Sequence, residues 1–295
     1  MMNNNKPCIA AAGLGRLGNQ MFITVAAMTF AKRTNREFLG IVKVGEKSDY
    51  PENVEKTVMR NVKYLDYFDL NGFTTFGVGP WTCNGFPKTN SEKVYFYDYF
   101  QDVNCIDSDI AYGLFAPYDS IINTINELYG DLSDYVCVQV RRGDYLYLKD
   151  YGFNVLSKDE IDTIIETYFP CDKIIFVSDD IEWCKENFIG EKYMFADKPY
   201  YCSQEIDLYI MTQCKANVIS NSTFGWWGAF LNKNSQKVVC HWPWFSKGNP
   251  MKNILPENWI KFEFHENYQI NQNKSQFKPN TRNVIFKKKQ NRPIR

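Results

Sequence analysis

From residue 135 onward, short apolar runs alternate with segments of helical periodicity. YVCVQV (135–140), KIIFVS (173–178), ANVIS (216–220) and KVVC (237–240) read as buried strands, and YMFA (193–196) as a weaker one. Between them, Ser157 and Glu160 spell a capping box at the head of a helix that runs to about Phe169, with Ile161, Ile164 and Ile165 on one face. A short helix is expected near 181–187, another over 203–214, and a third after Thr223. Apolar strands separated by helices predict a parallel sheet covered on both faces. The first 130 residues are less regular. They predict a strand near 8–12, a helix over about 20–33 with Phe22, Val25, Ala26, Thr29 and Phe30 on one face, a strand near 38–44, and a helix over 120–129. The aromatic segment YFYDYF (95–100) either belongs to a core or offers rings on which a ligand stacks. A boundary between two αβ units is expected near residues 130–133.

Ligands of parallel sheets bind beyond the carboxyl ends of the strands, so polar clusters there are the ones to examine. Arg141-Arg142-Gly143-Asp144 follows the first strand of the second unit, Ser178-Asp179-Asp180 the next, and Ser220-Asn221-Ser222-Thr223 the ANVIS strand. In the first unit, Gly13-x-Gly15-x-x-Gly18 follows a strand and opens a helix, which is the spelling of a dinucleotide turn. An NAD-dependent oxidoreductase would also need a carboxylate at the end of the second strand. Glu37 has the right spacing but precedes FLGIVKV and so falls at that strand's start, whereas Glu46 is late. The glycines instead suggest a tight turn that lets a ligand or another backbone approach, with Asn19 and Gln20 facing a polar cleft.

The 295 residues, 44% of them apolar, suffice for two domains, and the formal net charge is zero. The balance is uneven: residues 267–295 hold eight Lys or Arg and no acid, so the remainder is acidic. Such a run reads as a solvated tail, or as a peripheral attachment to an anionic membrane face. No basic patch with interleaved aromatics points to nucleic acid. The nine cysteines show no CxxC spacing, which suggests neither a disulfide framework nor zinc, and MMNNNKP lacks an apolar signal core. A cytoplasmic location is expected.

Three segments taken together resemble the fucosyltransferases that use GDP-fucose, most closely the bacterial α-1,2-fucosyltransferases of glycosyltransferase family 11. They are GRLGNQMF (15–22), VQVRRGDY (138–145) and DLYIMTQCKANVISNSTFGWWGAFLN (207–232), with FVSDD (176–180) between the last two. The resemblance implies a GT-B-like α/β architecture of two Rossmann-like domains facing across a cleft. Residues 1–132 would form the acceptor side, 133–266 the GDP-fucose-binding domain, and 267–295 the basic tail. It also implies metal-independent, inverting transfer of L-fucose to the 2-hydroxyl of a terminal galactose in an oligosaccharide or lipid-linked glycan. One departure is Gln139, where the family often has His. Other readings are a fucosyltransferase of different linkage, the oxidoreductase above, and a noncatalytic glycan-binding module.

Residue chemistry adds the roles. A leaving diphosphate needs positive charge, and arginine offers fixed paired donors to phosphate oxygens. Neighbouring side chains in extended backbone point to opposite sides, so one of Arg141 and Arg142 reaches the diphosphate while the other pairs structurally; by resemblance Arg141 is the phosphate ligand and Asp144 braces the loop. Ser222 and Thr223 open a helix and offer an anion site, joined on the donor side by Gln139, Ser220 and Phe224. By resemblance, Asp207 matches the family position that receives guanine N–H groups. Asp179 and Asp180 contact the nucleoside or brace the loop. Asn19 orients acceptor and diphosphate, with Gly18 and Gln20 on the acceptor side, and Asp144 or Asp150 takes the acceptor proton. The Asp107-Ser108-Asp109 spelling is expected to cap a helix rather than bind a metal.

Overall fold

The computed structural model describes residues 6–44, 56, 58–77, 85–200, 203–247, 251 and 253–263. Glu46 and the basic run 267–295, with the membrane contact suggested for it, lie outside these residues.

Among the described residues there are two sheets, and every strand pairing in them is parallel. The first contains β1 (Cys8–Gly13), β2 (Glu37–Lys43), β3 (Tyr64–Leu65), β4 (Thr74–Phe76) and β5 (Lys93–Phe96), in the order β3-β2-β1-β5-β4. The second contains β6 (Tyr135–Val140), β7 (Lys173–Ser178), β8 (Tyr193–Phe195), β9 (Ala216–Ile219), β10 (Lys237–Trp242) and β11 (Ile260–Glu263), in the order β11-β10-β9-β6-β7-β8. Central strands are covered on both faces, which is why they lack alternation: Ile9 to Ala12 of β1 and Val136 to Val138 of β6 are fully buried. The edge strands β3, β4 and β11 escape the sequence pattern because they are two to four residues long and half-exposed.

The helices are α1 (Leu17–Arg33), α2 (Ser108–Phe115), α3 (Asp119–Tyr129), α4 (Lys158–Tyr168), α5 (Ile181–Asn187), α6 (Ser203–Gln213) and α7 (Thr223–Leu231). The capping box forms at α4, where Ser157 and Glu160 exchange side-chain and backbone bonds. Asp107 caps α2, accepting from the N–H groups of Asp109 and Ile110 at 3.1 Å, and pairs with Lys32 at 2.7 Å. Helix α1 departs from expectation. It starts three residues earlier and is not amphipathic, because it lies between the first sheet and α7. Ile23, Ala26, Ala27 and Phe30 pack with Ile9, Val94 and Phe96 of the sheet, whereas Met21, Phe22 and Val25 join the core around α6 and α7. Phe22 meets the rings of Trp226 and Trp227 at 4.5 and 5.0 Å. Burying each such side chain contributes about 1.5–3 kcal/mol, so α1 ties the sheets' surroundings together.

Among the described residues no helix is long and apolar enough to cross a membrane, and the seven cysteines are free thiols.

Candidate active site

In each sheet the strand order reverses at one place, between β1 and β5 in the first and between β6 and β9 in the second. Chains leaving such a pair of strands turn to opposite faces and leave a crevice beyond their carboxyl ends. Here the two crevices open into one cavity of about 760 Å³. Its first wall is Gly15 to Asn19, from after β1, with Tyr99 and Gln101 from after β5. Its second is Arg141 and Asp144, from after β6, with Asn221 to Phe224 from after β9. Size and mixed lining suit a sugar nucleotide.

Arg141 is fixed before any ligand arrives. Its backbone N–H donates to Ser220 Oγ at 3.0 Å, while Ser220 Oγ donates to the Gln139 carbonyl at 3.0 Å, so this serine stitches β6 to β9. The guanidinium lies 2.5 Å from Asp144 Oδ1 and 2.8 Å from Asp179 Oδ2 and sits over the Tyr145 ring at 5.2 Å. Gly143 leaves room for this clamp: a Cβ there would lie 2.2 Å from Asp179 Oδ2. Asp144 also faces Arg16, at 3.6 Å, a second cation on the cavity wall.

The glycine fingerprint has a different use from the one its spelling suggests. Glu37 pairs in register with Cys8, at the end of β1 away from Gly13, so no carboxylate from β2 reaches the turn. Gly15 adopts φ +67°, which closes the turn. Gly18 lets α1 touch α7: a Cβ there would stand 2.6 Å from the Phe224 nitrogen and the Thr223 carbonyl carbon, and Trp227 Nε1 donates to the Gly18 carbonyl at 3.0 Å.

At this contact Thr223 Oγ1 donates to Asn19 Oδ1 at 2.9 Å, and Gln101 Nε2 donates to the same oxygen at 2.9 Å. The Thr223 hydroxyl proton is therefore engaged, and what α7 offers an anion is its backbone. Ser222 occupies the N-cap position without a side-chain cap bond, which leaves the first-turn N–H groups to a ligand. Gln139 is buried at 3% exposure, and its Oε1, beside Gly225, has no hydrogen-bond partner among the described residues. Asp207, on α6, lines the cavity, and burial pushes its carboxyl up to about 7.

Gly18, Asn19, Gln139, Arg141, Asp144, Asp179, Asp207, Ser222, Thr223 and Phe224 thus share one cavity. Five residues assigned to the site from sequence do not line it. Arg142 points away from Arg141, pairs with Asp180 at 2.9 Å and stacks on Trp183 at 3.8 Å, so both Arg142 and Asp180 act as braces. Ser220 is the stitch described above. Gln20 is fully buried, donating to the Gly15 carbonyl at 3.0 Å and accepting from Tyr64 at 2.9 Å, so it braces the turn rather than facing the acceptor. Asp150 is exposed outside the cavity. Sequence reasoning missed Gln101, and also Tyr145, Phe153 and Phe245, whose rings form a continuous edge-to-face wall at 4.6 and 5.1 Å. Of the segment 95–100, Tyr95, Phe96 and Phe100 are core and Tyr99 faces the cavity. Among the described residues no group of three or more His, Cys, Asp or Glu is placed to hold a metal ion.

The model of one family, glycosyl transferase family 11, matches residues 14–263, a stretch that includes both walls. An O-antigen biosynthesis glycosyltransferase, WbnK, of Escherichia coli is 32% identical over 56% of this chain and 59% of its own length. An alpha-1,2-colitosyltransferase of Escherichia coli is 33% identical over 43% of this chain and 47% of its own. A galactoside alpha-(1,2)-fucosyltransferase 1 of Leontocebus fuscicollis is 30% identical over 33% of this chain and 28% of its own. The chain therefore spans about half the length, or less, of these relatives. Among solved structures, a glycosyl transferase family 9 protein from Veillonella parvula DSM 2008 superposes with a TM-score of 0.52 over 91% of this chain and 90% of that one, at 11% identity, a likeness of fold.

Proposed function

This chain belongs to glycosyl transferase family 11, and we propose that within the family it moves L-fucose from GDP-β-L-fucose to the 2-hydroxyl of a terminal galactose, with inversion and without a metal. Residues 1–132 carry the acceptor side and 133–266 the donor. Relatives that bear α-1,2-fucosyl and α-1,2-colitosyl transfer in their names support the linkage. The observation that carries the reading is the placement of Arg141, clamped at 2.5 and 2.8 Å by two carboxylates, on the wall of the cavity that Asn19 also lines.

In the reaction the bond from the fucose C1 to the diphosphate oxygen breaks and GDP leaves with the electron pair. The galactose O2 bonds to C1 from the opposite face, and its proton goes to a base. The transition state resembles an oxocarbenium ion, as in glycoside hydrolysis. Stabilising the growing charge on the diphosphate therefore lowers the barrier. Arg141, aided by Arg16 and the N–H groups at the start of α7, supplies this. Asn19 donates to the same departing oxygens. Asp207 receives the guanine N–H groups. Asp144 lines the cavity whereas Asp150 is exposed outside it, which favours Asp144 as the base. The edge-to-face wall of Tyr145, Phe153 and Phe245 offers the acceptor sugar an apolar surface.

The test is incubation with GDP-fucose and lactose. A product heavier by one fucose residue, its linkage placed by two-dimensional NMR and its yield unchanged in EDTA, is expected. A protein that binds lactose but neither GDP nor GDP-fucose is a glycan-binding module instead, and nicotinamide binding would restore the oxidoreductase. The colitosyltransferase relative favours one second reading, colitose as the transferred sugar, which competition between the two GDP-sugars resolves.

A further inference from the structure

Gln101 lines the same cavity as Arg141, five residues beyond the end of β5. It is 5% exposed; its Nε2 donates to Asn19 Oδ1 and its Oε1 has no partner among the described residues. Thr223 Oγ1 donates to that same Asn19 oxygen. An amide oxygen has two lone pairs, so both are occupied, and the –NH₂ end of Asn19 is the one left for the cavity. That nitrogen makes no hydrogen bond among the described residues and, unlike Gln101 Oε1, is not sealed from solvent. A buried acceptor without a donor destabilises a fold, and an apolar side chain at 101 would remove that cost. The residue is useful here for its donor end.

We propose that Gln101 is a positioning residue: by donating to Asn19 Oδ1 it holds the Asn19 amide with its N–H groups toward the oxygen that gains charge as the diphosphate leaves. Without it only Thr223, whose hydroxyl rotates and can accept as readily as donate, would orient that amide. The inference rests on the reading of Asn19 given above.

Transfer from GDP-fucose to lactose is compared for the wild type, Asn19→Ala, Gln101→Leu and the double variant, with GDP affinity measured by calorimetry. Gln101→Leu is expected to lower kcat about 10- to 100-fold, somewhat less than loss of a whole charge-stabilising donor. Its KM values and GDP affinity stay within about threefold, since the donor it orients acts in the transition state. In the Asn19→Ala background the same change adds less than about twofold, because the residue it acts through is gone. A Gln101→Leu enzyme with wild-type kcat, or a loss that multiplies unchanged in the Asn19→Ala background, overturns the role. Gln101→Glu keeps the side chain's size should the leucine variant not fold; its carboxylate only accepts, which turns the Asn19 amide around, so kcat falls at least as far, and an unchanged kcat overturns the role. A wild type that transfers no sugar overturns the functional reading and this inference with it, whereas additive losses in an active enzyme overturn the role of Gln101 alone.

Discussion

Asp179 Oδ2 lies 2.8 Å from Arg141 Nη1, while its Oδ1 accepts the backbone N–H of Arg142 at 2.9 Å. One carboxylate from the end of β7 thus grips both the side chain and the backbone that follow β6. With Asp144 on the other side, the guanidinium is held from two directions and needs no reorganisation when charge develops nearby, which is the condition under which a fixed donor is most effective.

Removal of that donor is the first expectation. Arg141→Ala should lower kcat by roughly 10²–10³, the usual loss for one preorganised charge-stabilising group. Arg141→Lys should recover little, because an ammonium cannot face Asp144, Asp179 and a diphosphate oxygen at once in a planar fork. Steady-state kinetics decide, and near-normal turnover in the alanine variant would remove the role.

The grip also makes a prediction at a residue with no polar side chain. Gly143→Ala would place its Cβ 2.2 Å from Asp179 Oδ2 and 3.2 Å from Cγ. The neighbour that must move is the end of a side chain, so the fold survives and Asp179 swings off Arg141. Turnover should drop about tenfold or more, in keeping with the sensitivity of catalysis to ångström-scale misplacement, while the melting temperature changes little. Equal loss of stability and activity would point to general damage instead.

The second sheet was legible because its central strands are buried on both faces, leaving apolar runs, each followed by the polar residues that line or brace the site. The first sheet was less so. Its strands β3 and β4 are short edges with no apolar run, and α1 hides its partners by being buried on nearly all sides. Gln20 was misread for a geometric reason: helical neighbours differ by about 100° in direction, so the residue after Asn19 points inward to Tyr64. Arg142 shows the converse, since strand alternation already said that one arginine of the pair must point away. Gln101 carries no local signal at all. Its place in the cavity follows from the reversal of strand order between β1 and β5, a property of the whole sheet.

Gly18 separates packing from ligand binding. A Cβ at this position meets backbone atoms of Thr223 and Phe224 at 2.6 Å, and backbone, unlike a side-chain tip, yields only by moving α1 against α7. Gly18→Ala should therefore destabilise the fold by about 1–3 kcal/mol, as overpacking does. Urea denaturation measures it. A variant as stable as the wild type but unable to bind GDP would show that the glycine serves a nucleotide directly.

Asp207 gives the site a dependence on pH. Burial pushes its carboxyl from 3.8 up to about 7, so near neutrality the free protein is a mixture of charged and neutral forms. Guanine presents paired N–H donors, which only the ionised carboxylate meets with both oxygens. The apparent affinity for GDP is scaled by the ionised fraction, and it should be roughly tenfold weaker at about pH 6 than at about pH 8. Stability moves the other way. Between 3.8 and about 7 the folded chain retains a proton that the unfolded chain has released, so stability falls as pH rises through that window and is level above it. Asp207→Asn should flatten both trends, and titration of the diphosphate itself, common to the two proteins, cancels in their ratio. Calorimetry across this range, with wild type and variant side by side, provides the measurement. An affinity ratio independent of pH would place the guanine elsewhere in the cavity.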